Sequence, residues 1–307
     1  MEITKKKIVP VIFGLSGYYL KNEEIKIIKQ NKIFGYIFFK RNIINFSQFK
    51  NLINHIKSIS AEKPLMMIDH EGGRVNRFSN FFSQKKYTGS YFGNLYKFNK
   101  KKFYEEVKFF VKFNVNVLKN FGIDTIAYPV VDLSYNKTHN VIGDRSFSDK
   151  VEIVNNLSKL FVAEYQKRGI NCVSKHAPGH GLATKDSHYS LPIVNESYEH
   201  LLKYDLKCFK NLRSKFIMTA HIKYNSLDKI LATFSKKIIN LIRKETKFKG
   251  MIMTDDICMK ALKEDLYFRV TQPLIAGCDI ILHCNGNINE MKKIISILNI
   301  WMNQKIK

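Results

Sequence analysis

The chain has 307 residues, 45% of them hydrophobic, enough for one large core and too many for an intrinsically disordered protein. Its 51 Lys and Arg against 26 Asp and Glu give a net charge of +25, but the excess is spread along the whole chain among abundant Asn and Ile. No basic block matches a nucleic-acid motif, so compositional bias is preferred over a nucleic-acid or membrane partner, although the field can still draw in an anionic substrate.

Five cysteines, at 172, 208, 258, 278 and 284, form no CxxC pair. That argues against a disulfide framework or zinc ribbon and fits a reducing, cytoplasmic compartment. Lys5-Lys6-Lys7 before apolar Ile8–Leu15 imitates a signal peptide. The run is short and holds Pro10 and Gly14, and no small-residue cleavage site follows, so it reads as a first buried strand. No run approaches a membrane span.

Short apolar runs then recur in order: Ile8–Gly14, Gly35–Phe39, Pro64–Asp69, Ile123–Tyr128, Gly169–Lys175, Lys215–His221, Gly250–Asp255 and Cys278–His283. Amphipathic stretches of helical length lie between them, near 22–30, 46–58, 100–120, 149–167, 196–212, 236–246, 257–275 and 288–301. Continuous apolar strands alternating with helices predict a parallel sheet buried on both faces. Eight such units without a linker predict an α/β fold, a single (β/α)8 barrel forming one catalytic domain over 1–307. The longest connection, 79–99, has no clear periodicity and is expected to be irregular.

Polar residues gather at the C-terminal ends of five of these strands: Asp69, Lys175-His176, His221, Asp255-Asp256 and His283. In a barrel those ends are expected to converge on one mouth, where such enzymes keep their active sites. Asp69-His70-Glu71-Gly72-Gly73-Arg74-Val75-Asn76-Arg77 supplies a carboxylate that can accept from vicinal hydroxyls and arginines that can clamp a ligand oxygen. A structural pair between Glu71 and Arg74 is expected in that loop. Arg145 either reaches the mouth or pairs with Asp144. Of Asp255 and Asp256, adjacent on a strand, only one is expected to face the mouth, and periodicity does not say which.

The densest segment is Lys175-His176-Ala177-Pro178-Gly179-His180-Gly181 with Asp186-Ser187-His188. Pro178 and the glycines forbid regular helix, so this is a loop crowded with titratable groups. His176, His180, Asp186 and His188 are possible metal ligands, but no HExxH-like spacing presents them together, and neither metal nor cofactor is expected. An Asp-x-His pair suits a proton carrier oriented by its carboxylate.

Together these segments resemble glycoside hydrolase family 3, in its bacterial β-N-acetylhexosaminidase branch. The resemblance runs from Gly14-Leu15-Ser16-Gly17 to Ala276-Gly277-Cys278-Asp279 and is carried by IDHEGGRVNRF at 68–78, VIGDRSF at 141–147, KHAPGHG at 175–181, DSH at 186–188, MTAHIKY at 218–224 and MTDDICM at 253–259. It implies Asp255 as nucleophile, His188 as acid/base held by Asp186, and Asp69, Arg77, Arg145, Lys175 and His176 as binders of a terminal N-acetylglucosamine. The implied reaction is retaining hydrolysis of β-linked N-acetylglucosamine from cell-wall fragments, including those ending in 1,6-anhydro-N-acetylmuramic acid, by a cytoplasmic monomer. His70, Ala177 and Thr254 stand where the family commonly has Gln, Phe and Ser, and no implied catalytic side chain is lost. A phosphorylase of the same fold and a non-catalytic sugar- or nucleic-acid-binding relative are the alternatives.

Overall fold

Eight strands close into a parallel barrel in the computed structural model, which describes residues 8–187 and 190–306. They are β1 (Val9–Gly14), β2 (Ile33–Phe38), β3 (Leu65–Ile68), β4 (Thr125–Ile126), β5 (Asn171–Ala177), β7 (Phe216–Thr219), β9 (Met251–Asp256) and β10 (Ile280–His283). The order around the barrel is β1-β10-β9-β7-β5-β4-β3-β2, so the eight expected strands are all present and neighbours in sequence are neighbours in space. A separate two-stranded parallel sheet pairs β6 (Ile193–Val194) with β8 (Lys223–Tyr224), tying the loop after β5 to the loop after β7.

Helices fill the intervals: α1 (Asn22–Gln30), α2 (Phe46–Ile59), α3 (Gly89–Phe98), α4 (Lys100–Phe121), α5 (Val151–Gln166), α6 (Tyr198–Lys203), α7 (Asp205–Cys208), α8 (Lys236–Thr246), α9 (Leu266–Ala276) and α10 (Ile288–Ile306). Several begin at caps the sequence supplies. Asn45, Ser235 and Asp265 each accept a hydrogen bond from a backbone N–H of the first turn. No helix among the described residues is long and apolar enough to cross a membrane.

The expected irregularity at 79–99 is partly corrected by α3. Its N-cap is Thr88, and its glycines pack where no side chain fits: a Cβ on Gly89 would lie 2.0 Å from the Arg145 carbonyl oxygen, and one on Gly93 1.7 Å from that of Phe147. Tertiary contact selects this helix, which hides it from a periodicity search. The expected helix over 257–275 starts only at Leu266, after a turn capped by Asp265, and the one over 196–212 divides into α6 and α7.

Strand residues alternate between two cores. Ile12, Ile37, Met67, Val173, Met218, Met253 and Ile280 fill the barrel interior, while Phe13, Tyr36, Phe38, Met66 and Ile68 pack outward against the helices. Two residues beyond the inward Met67, Val173 and Met253 lie Asp69, Lys175 and Asp255, so the period of two delivers these groups to the mouth.

Candidate active site

One cavity of about 540 Å³ opens at the C-terminal ends of the strands. Asp69, Arg77, Arg145, Lys175, His176, Asp186 and Asp255 all line it, so seven of the eight expected site residues meet in one place. His188, the eighth, lies outside the described residues. Glu71, His180, Ser187 and Asp256 also line the cavity.

His221 and His283 do not, contrary to expectation. Each lies at odd parity to the inward residues of its strand. His221 is buried against Thr233, whose hydroxyl is 2.8 Å from its Nδ1, and its Nε2 reaches the Asp256 carbonyl at 3.0 Å. His283 faces the helical layer, with Phe13 edge-on at 5.6 Å and Glu290 Oε2 at 2.8 Å from its Nε2.

The expectation that only one of Asp255 and Asp256 faces the mouth is also corrected. Ile280 pairs with Met253 but Leu282 pairs with Asp256, so β9 holds one extra residue, and this bulge brings both carboxylates to the cavity. They are bound differently. Asp256 Oδ1 accepts from the backbone N–H groups of Cys258 (3.0 Å) and Cys284 (2.9 Å), fastening β9 to β10, whereas Asp255 Oδ1 accepts from the adjacent Asp256 N–H. A similar register shift in β5, between Lys175 and Ala177, lets His176 line the cavity beside Lys175.

An ion-paired, largely buried network joins five charges lining the same cavity. Lys175 Nζ sits 2.8 Å from Asp69 Oδ1 and 2.6 Å from Glu71 Oε1. Arg77 bonds the Asp69 carboxylate through Nη2 and the Asp69 carbonyl through Nε at 2.6 Å. Arg145 grips Glu71 in a two-pronged pair, 2.7 and 2.8 Å long. The Glu71–Arg74 pair expected from sequence therefore does not form. Glu71 is taken by Arg145 and Lys175, and Arg74 by Asp144 at 3.0 Å and by the carbonyls of Val141 and Ile142.

Burial alone would neutralise these groups, but their partners outweigh it. Burial pushes Glu71 up, yet Arg145 and Lys175 hold it down at about 2. Asp69 is held well below the carboxylate range by Lys175 and Arg77 against the same penalty. Burial works against the charge on Lys175, and Asp69 and Glu71 more than restore it. Lys175, Asp69 and Glu71 thus stay ionised and pre-aimed beside the Arg77 and Arg145 guanidinium groups, an arrangement that can hydrogen-bond several sugar oxygens in fixed directions.

The histidine loop hangs on Asp132, which the sequence reading passed over. Its buried carboxylate accepts from the backbone N–H groups of His176 (3.1 Å) and His180 (2.7 Å), and its Oδ2 lies 2.7 Å from His176 Nδ1. Burial raises its pKa, but His176 and His180 bring it to about 2, so the ionised carboxylate requires a proton on His176 Nδ1. The sign of its role was an acid inside the apolar run Pro129-Val130-Val131-Asp132-Leu133. His180, whose pKa burial and the neighbouring His176 lower to about 4, meets Ser187 Oγ at 3.1 Å, next to Asp186.

The sequence model of the glycosyl hydrolase family 3 N-terminal domain matches residues 7–305. The chain belongs to glycosyl hydrolase family 3. A β-hexosaminidase of Idiomarina loihiensis is 32% identical over 287 residues, covering 92% of this chain and 86% of that one. Among solved structures, native NagZ of Neisseria gonorrhoeae superposes with a TM-score of 0.86 at 30% identity, over 94% of this chain and 84% of its own. The same protein in complex with N-trifluoroacetyl-D-glucosamine matches equally well, with a TM-score of 0.86, 30% identity and the same coverage of 94% and 84%. The chain is a glycoside hydrolase with β-hexosaminidase activity.

Proposed function

We propose that this family 3 enzyme removes non-reducing terminal β-linked N-acetylglucosamine from peptidoglycan fragments, including those ending in 1,6-anhydro-N-acetylmuramic acid, in the cytoplasm and with retention of configuration. The observation that carries the reading is the shared cavity of Asp255, Asp186 and the Asp69–Lys175–Glu71–Arg145 network, a carboxylate and a carboxylate-bearing loop around a polar, ion-paired floor. Its binding half suits a single pyranose, because buried charge-assisted donors and acceptors recognise hydroxyls by direction as well as by charge.

In the proposed mechanism Asp255 attacks the anomeric carbon while His188, as imidazolium, gives its proton to the departing oxygen. The C–O bond to the leaving sugar breaks and a glycosyl ester to Asp255 forms. Water then attacks the same carbon, neutral His188 takes its proton, and Asp255 leaves as carboxylate. Asp186, two residues away, stabilises the imidazolium and fixes its tautomer. Asp69, Arg77, Arg145, Lys175 and His176 hold the sugar, and Asp132 positions His176 and His180.

Substrates of graded leaving-group ability test the acid. His188→Ala is expected to slow cleavage of natural disaccharides far more than that of activated aryl glycosides, and Asp186→Asn to do the same more mildly. Equal losses on both substrates in the first step would move the acid elsewhere. Repeating the reaction with inorganic phosphate separates the outcomes: free N-acetylglucosamine in both arms is expected, and sugar 1-phosphate would make the protein a phosphorylase.

A further inference from the structure

A second cluster of chemically competent side chains lies behind the mouth, on the outer side of β10. Cys258 in the turn after β9, His283 at the end of β10 and Glu290 in the first turn of α10 each offer a ligand atom, and these atoms lie within 4.8 Å of one another. Tetrahedral zinc with bonds of about 2.0–2.3 Å separates its ligands by roughly 3.3–3.7 Å, so sub-ångström side-chain adjustment closes this set around an ion. The chemistry is specific. One thiolate, one imidazole and one carboxylate select zinc, or cobalt in its place, over calcium or magnesium, which prefer oxygen alone.

Two of the donors already stand side by side. His283 is fully buried, and its Nε2 lies 2.8 Å from Glu290 Oε2. Glu290 is already a supported ligand, since Asn285 Nδ2 donates to the same Oε2 at 2.8 Å. The Glu290 side chain is 34% exposed, which gives an ion a path in and a place for a fourth, water ligand.

We propose that Cys258, His283 and Glu290 form a zinc site that staples the turn after β9 to β10 and α10. It lies apart from the sugar pocket in its ligands but close in the chain to the Asp255-Asp256 bulge, because the Cys258 N–H itself holds Asp256. Binding converts the Cys258 thiol to a thiolate and releases one proton to solvent, while neutral His283 and ionised Glu290 ligate without proton loss. Because the Cys258 thiol gives up its proton on binding, zinc uptake tightens as pH rises.

Cobalt reports the ligand directly, through the near-ultraviolet sulfur-to-metal charge-transfer band of a bound thiolate. Full-length protein stripped with chelator is expected to take up one cobalt per chain with this band. Cys258→Ser should abolish it, and Cys284→Ser, which changes the other cysteine near the mouth, should leave it intact. Glu290→Gln should weaken zinc binding about tenfold or more in competition with a chromophoric chelator. Added zinc should raise the melting temperature of the parent protein and not that of Cys258→Ser, with circular dichroism confirming that each variant folds. Absence of the band, its persistence in Cys258→Ser, its loss in Cys284→Ser, or unchanged affinity in Glu290→Gln would each overturn the site.

Discussion

Asp205 makes the stability of this protein depend on pH in a direction opposite to most carboxylates. It begins α7, is 1% exposed, and lies directly under the histidine loop, where a Cβ on Gly179 would come within 2.7 Å of its own Cβ. Tyr135 donates to its Oδ2 at 2.7 Å, and its Oδ1 has no partner among the described residues. Burial, reinforced by the negative charge of Asp132, raises its pKa from 3.8 to about 7 against the help of Tyr135. The folded state therefore keeps a proton that the unfolded state gives up. Its contribution is fully present below about pH 4, declines by about 1.4 kcal/mol per unit as pH rises, and is gone once pH passes 7. Between pH 5.5 and 7.5 this single group removes about 2 kcal/mol of stability. Asp205→Asn keeps the shape without the titration. Urea unfolding of both proteins at the two pH values isolates the effect, because every other titrating group cancels in the comparison. The parent should lose about 2 kcal/mol more than the variant over that interval. Parallel losses would mean that Asp205 is ionised in the folded protein and that its burial is compensated by partners other than a proton.

Three further outcomes follow from the geometry of the mouth. Asp255→Ala should abolish turnover with the melting temperature nearly unchanged, while Asp256→Ala should cost about 1–3 kcal/mol by freeing the amides of Cys258 and Cys284, measured by thermal unfolding; the reverse pattern would exchange their roles. Asp132→Ala should destabilise by about 3–5 kcal/mol in urea, since it strips a buried carboxylate from His176 and two backbone donors at once, and a loss under 1 kcal/mol would remove it as the anchor of the loop. Gly93→Ala, which in an ordinary helix would stabilise, should here cost about 1–3 kcal/mol and raise KM, because the new Cβ would strike the Phe147 carbonyl and push α3 off the segment that delivers Arg145; unchanged stability and KM would contradict that packing.

The barrel was readable because its strands are buried on both faces, so each apolar run stands out between amphipathic helices whatever the local propensity. The failures have the opposite origin. Residues 89–98 carry glycines at two places where the backbone of 145–147 presses against the helix, and a pattern set by a neighbour's backbone leaves no periodic trace. The turn over 257–265 reads as helix because its apolar residues Ile257, Met259, Ala261 and Leu262 are all buried and keep a nearly helical spacing.

At the site, position was legible and pairing was not. Strand parity places Asp69, Lys175 and Asp255 at the mouth from sequence alone, and the same parity, applied strictly, would have turned His221 and His283 outward. A bulge breaks that arithmetic, and neither Asp256 nor His176 announces one. Pairing is harder still, because an arginine chooses among carboxylates by distances that exist only after folding. Arg74 lies three residues from Glu71 but is held by Asp144, and Arg145, next to Asp144, crosses to Glu71. That exchange has a functional sense. The exposed pair on the rim contributes little and ties two loops together, whereas the pair inside, with Glu71 4% and Arg145 13% exposed, keeps full charge where a sugar would have to bind. Had each arginine taken its sequence neighbour, Lys175 would face Asp69 alone and the mouth would lose the second anion that keeps its cations in place.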